Sequence, residues 1–125
     1  MAFILDLDPT FKWPVSFDVP VDGRHELKKF EGEFRRLGQS RVNAITGEIQ
    51  ARMVAMQAGE DASEMISDQS IAEEVLVGWS GILDRDGDEV PFSEGVKRRL
   101  LDVEAVAAAI VTAWGDSLRG AKRKN

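Results

Sequence analysis

The chain has 125 residues, of which 43% are hydrophobic and 30% charged, with a formal net charge of −6 and no cysteine. This length predicts a single domain that is large enough to bury a core. The lack of cysteine excludes disulfides, thiolate nucleophiles and thiolate zinc sites. The acidic balance argues against a nucleic-acid partner, and no apolar run reaches the roughly 18 residues that a membrane span needs. Because Asp6 and Asp8 interrupt the first apolar residues, we expect no signal peptide and a cytoplasmic protein.

The segment KWPVSFDVPV predicts the first strand of a region, residues 10–37, that reads as β-structure. Its apolar residues alternate with mostly polar ones, which is the period of a half-buried strand: Trp13, Val15, Phe17, Val19 and Val21. Pro14 and Pro20 fall on the other side of the strand. Since proline cannot donate to a ladder, both residues place this strand at the edge of a sheet.

A returning strand is predicted after a tight turn at Asp22-Gly23. The spacing of Phe30 and Phe34 also fits a helix, but Gly32 between them disfavours one. The alternation of aromatic and charged residues therefore favours an antiparallel hairpin.

Two helices are predicted in the middle of the chain. Ser40 is a good N-cap for the first, and Gly59 is a good stop. An apolar stripe at helical spacing supports this helix: Val42, Ile45, Ile49, Met53 and Met56. A second stripe predicts a helix from about Asp68 to Trp79.

Two further helices are predicted near the end of the chain. Ser93 caps a short helix that ends at Leu101, and Asp102 caps a longer helix over residues 103–118. The predicted fold class is therefore α+β, with an N-terminal antiparallel β-hairpin followed by three or four packed helices. The last seven residues, 119–125, are rich in Lys and Arg, and we expect them to form a flexible basic tail.

The acidic segment DRDGDE at residues 84–89 could be a metal loop or a turn. A calcium loop that starts at Asp84 needs glycine at position six and a bidentate glutamate at position twelve. Gly87 falls at position four and Gly95 at position twelve, so the pattern fails where its geometry is strictest. We interpret Asp86-Gly87 as a hairpin turn and keep a metal-binding module as an alternative.

No pattern of catalytic residues is present in the sequence. His25 is the single histidine, and it lies just after the predicted turn rather than in a pocket. No serine stands in a GxSxG context, and no glycine-rich phosphate loop occurs. We predict that the protein is not an enzyme, and we assign it no catalytic, cofactor or metal-binding residues.

Aromatic residues are numerous for a small acidic domain, and most of them should be core. An edge strand with aromatic residues beside it is nevertheless a ready surface for a partner. Methionines in the first helix add the adaptable apolar contacts of promiscuous binding surfaces. The predicted partner-binding residues are Trp13, Phe17, Phe34, Trp79 and Phe92.

The order of short motifs along the chain is distinctive. The segment GWSGILDRDGDEVPFSEGVKRRLLD, continued by VAAAIVTAW and the ending GAKRKN, contains Gly-Trp-x-Gly, an Asp-Gly turn, Pro-Phe-Ser and Ala-Ile-x-x-Ala-Trp. The segment FDVPVDGRHELKKFEGEFRRL provides a strand, an Asp-Gly turn and a Phe-rich return strand. In this order, over most of its length, the chain resembles the tail assembly chaperones of long-tailed bacteriophages and prophages.

This resemblance implies a single chaperone-like domain over residues 1–125 that binds the tail tape measure protein in the host cell cytoplasm. Such a protein keeps the tape measure soluble until tail tube subunits polymerise around it, and it is not expected in the mature virion. A frameshifted longer form would recruit tube subunits, and weak self-association is compatible with this role. The alternative is a structural tail protein, tube-associated or terminator, that stays in the virion.

Overall fold

A computed structural model describes residues 2–119 of the chain. The elements are, in order, β1 Thr10–Val21, β2 Arg24–Arg35, α1 Gln39–Gln57, α2 Asp68–Val75, β3 Leu76–Ser80, α3 Glu94–Leu101 and α4 Val106–Leu118. The predicted α+β class is confirmed, with an N-terminal hairpin followed by four helices. Apart from Arg119, the predicted basic tail lies outside the described residues, and none of the described helices is long and apolar enough to cross a membrane.

The sheet has three antiparallel strands in the order β1-β2-β3. The predicted hairpin turn is confirmed, because Asp22 and Gly23 both have positive φ, 46° and 82°. A two-residue turn in which both residues have positive φ has a backbone twist that matches the right-handed twist of the flanking strands. Pro14 and Pro20 lie on β1, which is an edge strand as predicted.

One face of the sheet is apolar, and the helices pack on it. Val15 pairs with Phe30 across the hairpin, and Phe11 pairs with Phe34, so their side chains share this face. Helices α2 and α4 complete the core with their buried side chains: Ile71, Ala72 and Val75 of α2, and Val106, Ala107, Ile110, Ala113 and Trp114 of α4. The opposite face carries mostly polar residues and is exposed, which is the usual division in an antiparallel sheet.

The helix predicted from Asp68 to Trp79 is wrong in its second part. The helix ends at Val75, and residues 76–80 form β3 along β2. Spacing alone could not separate these alternatives, because apolar residues at positions 75, 76 and 79 fit both a helix and a strand. Gly78 pairs with Glu33 of β2, and the two residues are close: a Cβ atom added at Gly78 would lie 2.7 Å from Oε1 of Glu33.

Two predicted helix caps are also wrong. The N-cap of α1 is Gly38, so Ser40 lies within the first turn. Asp102 is the C-cap of α3, where its N–H bonds to carbonyls of the last turn. Helix α4 therefore starts later, at Val106, after Ala105 in a left-handed conformation with φ 72°. The Ser93 cap is confirmed, since its hydroxyl accepts a hydrogen bond from the backbone N–H of Val96 at 3.2 Å.

Helix α1 is attached to α2 by an ion pair near each end. Arg41 donates two hydrogen bonds to the carboxylate of Glu74, at 2.6 and 2.8 Å. Arg52 donates to Asp68 at 3.0 Å and to the carbonyl of Ile66 at 2.9 Å. The two helices therefore run antiparallel, and the loop that joins them is held against α1.

The predicted apolar stripe of α1 contacts the core as far as Ile49, and Ala55 near the end of the helix is also buried. Ile45 is fully buried, and Val42 and Ile49 are half-buried. Met53 and Met56, which continue the stripe, are exposed. The predicted stripe is thus partly a core contact and partly a solvent-facing apolar surface.

A buried cation lies where α2 passes directly into β3. Lys97 of α3 is 3% exposed, and its ammonium donates hydrogen bonds to the carbonyls of Glu73, at 2.8 Å, and of Leu76, at 2.7 Å. Its nitrogen also lies 3.6 Å from the carboxylate of Glu73 and 5.7 Å from the centre of the Phe92 ring. The last carbonyls of a helix lack intrahelical partners and attract positive charge, so Lys97 caps α2 from outside the helix.

We expect Lys97→Met to lower the free energy of unfolding by about 2–4 kcal/mol, because it removes the donor from the buried carbonyl of Leu76 and the partly buried carbonyl of Glu73. Urea denaturation measures this change. Arg98→Met is the matched control, since Arg98 is the exposed neighbour on the same helix, and its effect should stay within about 0.5 kcal/mol. Equal effects of the two substitutions would contradict the capping role.

The Arg41–Glu74 pair predicts a pH dependence of stability. The hydrogen bond from Arg41 holds the pKa of Glu74 below its ordinary value. A lowered pKa in the folded state adds stability above the ordinary glutamate pKa, and this stability is lost as the pH falls through the folded value. Glu74→Gln should therefore be less stable than the wild type at pH 7 and equally stable at about pH 2, with the two compared by urea denaturation at each pH.

The control for this experiment is Glu64→Gln. Glu64 is exposed and makes no ion pair with any other residue between 2 and 119. Its substitution should leave the difference between pH 7 and pH 2 unchanged. A constant gap between Glu74→Gln and the wild type at both pH values would mean that the pair's charge does not contribute.

Candidate functional site

An aromatic groove lies where β1, the start of α1 and the end of α4 meet. Its volume is about 610 Å³. We define the aromatic groove by its apolar lining, Leu7, Phe11, Trp13, Leu37, Val42, Trp114 and Leu118, and by its basic rim, Lys12, Arg35 and Arg36. An apolar lining with a charged rim is a typical arrangement for a peptide site.

The basic rim is held in place by contacts with the sheet and its surroundings. The guanidinium of Arg36 lies over the ring of Phe11, 5.1 Å from its centre, and its Nε donates to the carbonyl of Asp8 at 2.8 Å. The Nε of Arg35 donates to the carbonyl of Glu74 at 3.3 Å. Phe11 itself stacks on buried Phe34, with ring centres 5.7 Å apart. Each arginine therefore keeps further N–H donors that can bind a carboxylate.

Of the five residues predicted to bind a partner, Trp13 and Trp79 lie in one row across the sheet. Both pair with Gly32, Trp13 from β1 and Trp79 from β3, so the three residues share the apolar face. Trp79 donates its indole N–H to the carbonyl of Val90 at 2.8 Å and meets Phe92 edge-on, with ring centres 4.8 Å apart. Trp13, Trp79 and Phe92 are all half-buried.

The other two predicted residues differ from each other in exposure. Phe17 is half-buried towards the tip of the hairpin and lies edge-on to Phe30 at 6.3 Å. Phe34 is fully buried in the core and offers no surface to a partner in this fold. The partner-binding role of the remaining four residues stays a prediction.

Helix α1 presents a second candidate surface, which we call the methionine face: Met53, Val54 and Met56. The three side chains are 48%, 54% and 61% exposed. Methionine is unbranched and polarizable, so it can adapt to differently shaped partners. Helical spacing in the sequence places Met53 and Met56 on one apolar stripe, but it does not show that the core leaves them uncovered.

The surroundings of the methionine face are acidic. No Lys or Arg occurs between residues 53 and 83, and exposed Glu60, Asp61 and Glu64 follow directly after α1. The backbone N–H of Ser63 donates to the carboxylate of Asp61 at 2.9 Å and lowers the pKa of that group. The carboxylate therefore stays ionised to lower pH. This surface is suited to a partner with an apolar face and basic flanks.

The acidic segment at 84–89 forms the predicted turn. The N–H of Asp84 donates to the carbonyl of Asp88 at 2.9 Å, and Gly87 takes a positive φ of 85°. Oδ1 of Asp84 accepts the N–H groups of Asp86 and Asp88 at 2.9 and 3.0 Å. The ligand atoms of these three aspartates lie within 4.8 Å of one another, and all three residues are exposed. The Asp84 carboxylate already serves the turn, so the metal-binding module stays an untested alternative.

Comparison with known proteins identifies the family to which the chain belongs. The model of the YdaY prophage protein family matches residues 33–113, which is well over half of the chain. The chain belongs to the YdaY prophage protein family. The matched range runs from the end of β2 into α4, so it contains the methionine face and leaves out β1. No curated protein and no solved structure matched the chain.

Family membership supports the phage origin that the motif order predicts. The YdaY family is defined as a prophage protein family, and this definition does not specify tail assembly. The finer functional assignment is therefore a proposal.

We expect Asp84→Ala to destabilise the protein by about 1 kcal/mol, because two turn N–H groups lose their acceptor. The loss should be the same in EDTA and in calcium chloride, measured by thermal unfolding. Asp86→Ala is the control, since the side chain of Asp86 accepts none of these turn hydrogen bonds. A calcium-induced rise in the melting temperature that Asp84→Ala abolishes would favour the metal-binding module.

Proposed function

We propose that this YdaY family protein is a tail assembly chaperone that binds the prophage's tape measure protein and keeps it soluble. Release would follow when tail tube subunits polymerise around the tape measure. The motif order described above supports this role, and prophage family membership is consistent with it. The proposal places the protein in the host cytoplasm, outside the finished virion, and assigns it no catalytic residue or cofactor.

The methionine face is the observation that carries this proposal. A long helical client presents an apolar stripe, and an amphipathic helix is bound through contacts at helical spacing. Met53 and Met56 are three residues apart on α1, so they lie on one side of that helix. The client stretch that pairs with them would bear basic residues beside its apolar stripe, because Glu60, Asp61 and Glu64 follow directly after α1 in the chain.

The shallow character of this surface fits a reversible chaperone. Three exposed side chains provide modest affinity for one copy, whereas many copies along one client gain strength through avidity. Weak individual contacts also allow tube subunits to displace the copies one after another. A longer, frameshifted form would add a segment for recruiting tube subunits, and this part of the proposal rests on the resemblance alone.

We expect co-expression with the tape measure protein to give a soluble complex containing several copies of this chain. Size-exclusion chromatography with light scattering would measure the complex and its stoichiometry. The double variant Met53→Glu, Met56→Glu should lose the complex because it places charge in the apolar contact. It should keep its melting temperature, since both side chains are largely exposed.

The matched control is Ser40→Glu, Ala44→Glu, two exposed positions in the first half of the same helix. It adds the same charge more than two turns away from the methionine face and should keep the complex. A tape measure that is equally soluble without this chain, and that does not co-elute with it, would contradict the chaperone proposal.

The alternative, a structural tail protein, predicts a different location. A subunit of the tail tube or terminator would be present in purified tails, whereas a chaperone would be absent from them. Mass spectrometry of tails from induced cells separates the two roles.

A further inference from the structure

The first residues of the chain form an exposed apolar arm, which we define as residues 2–9. They make no helix or strand. Four large hydrophobic side chains are exposed: Phe3 72%, Ile4 74%, Leu5 82% and Leu7 53%. A contiguous apolar segment of this kind marks an interaction site, because water penalises its exposure.

The base of the arm is fixed to the sheet. The carbonyl of Pro9 accepts the N–H of Arg36 at 2.9 Å, and the carbonyl of Asp8 accepts Nε of the same arginine at 2.8 Å. Leu7 lines the aromatic groove, whereas residues 3–5 remain exposed outside it. The arm therefore leaves its own groove rather than filling it.

The arm and the groove are complementary in polarity and charge. The arm combines apolar residues with Asp6 and Asp8, while the groove combines an aromatic lining with the basic rim of Lys12, Arg35 and Arg36. The rim carries three basic side chains, although the chain as a whole has a formal net charge of −6. Opposite charges at a shared rim favour encounter and fix the register of binding.

We propose that the arm of one copy binds in the aromatic groove of a second copy of this chain. Phe3 and Leu5 would contact the apolar lining, and Asp6 would face the basic rim. Six extended residues span about 20 Å, which is long enough to cross to a neighbouring molecule. Reciprocal exchange gives a closed two-fold dimer in which each arm is covered. The inference does not rest on the chaperone proposal, because it leaves the methionine face free.

Light scattering of the purified full-length chain tests the exchange directly. We expect a concentration-dependent dimer for the wild type and a monomer after deletion of residues 2–5, which leaves Leu7 in the groove lining. The deletion should keep the melting temperature, because the removed side chains are largely exposed. A wild type that stays monomeric at all concentrations, or a dimer that survives the deletion, would overturn the proposal.

A synthetic peptide with the sequence AFILDLDP gives a second, independent measurement. We expect it to bind the arm-deleted protein in fluorescence anisotropy. Binding should weaken by about tenfold when Lys12→Glu reverses a charge on the rim. A peptide with lysine in place of both aspartates should bind the Lys12→Glu protein more tightly than the protein with the unaltered rim.

The matched control is Lys29→Glu, an exposed residue of β2 outside the groove lining, which should leave peptide binding unchanged. Equal effects of the Lys12 and Lys29 substitutions would show non-specific charge attraction and overturn the proposed site. If the wild type is monomeric and deletion of the arm removes tape measure binding, the arm binds the client rather than a second copy. This result also overturns the exchange.

Discussion

The passage from α2 to β3 without an intervening loop is the constraint on which the rest of the structure depends. A helix that turns into a strand within one residue leaves its last carbonyls with neither helical nor strand partners. Lys97 supplies the missing donors from α3, and its long aliphatic stem packs in the core while the ammonium reaches the chain junction. Helix α3 is thereby attached to both elements, and β3 can leave α2 at the angle that pairs it with β2.

The same interaction orders the neighbouring aromatic residues. Lys97 faces the ring of Phe92, and Phe92 lies against Trp79 of β3. The indole of Trp79 in turn binds the carbonyl of Val90, which fixes the segment that follows the acidic turn. One buried charge therefore connects the sheet edge, the turn and the third helix. Without these hydrogen bonds, the free energy needed to remove the ammonium from water would exceed the stabilisation that its contacts provide.

Local chemistry was predictable from the sequence, whereas choices made by tertiary packing were not. The Asp22-Gly23 turn, the Ser93 cap and the turn around Gly87 depend on a few adjacent residues, and all three form as predicted. Strand β3 was missed because its apolar spacing also fits a helix, and pairing with β2 decides between them. Lys97 gave no signal in the sequence, since a lysine near helix α3's middle normally faces water. The arm and groove depend on distant elements that converge only in the fold.

For the apolar residues predicted to bind a partner, the sequence pattern likewise does not determine which side chains are buried. Phe34 and Met56 are both apolar residues at regular spacing, yet one is fully buried and the other is 61% exposed. Phe34 lies on the central strand β2 within the core cluster, whereas Met56 lies near the end of α1 with its side chain facing solvent. Periodicity predicts which residues face the same way, and the neighbouring element determines whether they are covered.

The prolines of β1 have a consequence for crowded assemblies. In an antiparallel strand, alternate residues direct their backbone groups to the outer edge, and Pro14 and Pro20 have the same parity. On that edge only the N–H groups of the intervening Ser16 and Asp18 can donate between the two prolines. Edge-to-edge growth of β-sheets between neighbouring molecules needs an unbroken row of donors. The prolines therefore hinder backbone pairing along the β1 edge when many copies are concentrated in one place, which leaves side chains to determine the contacts at this edge.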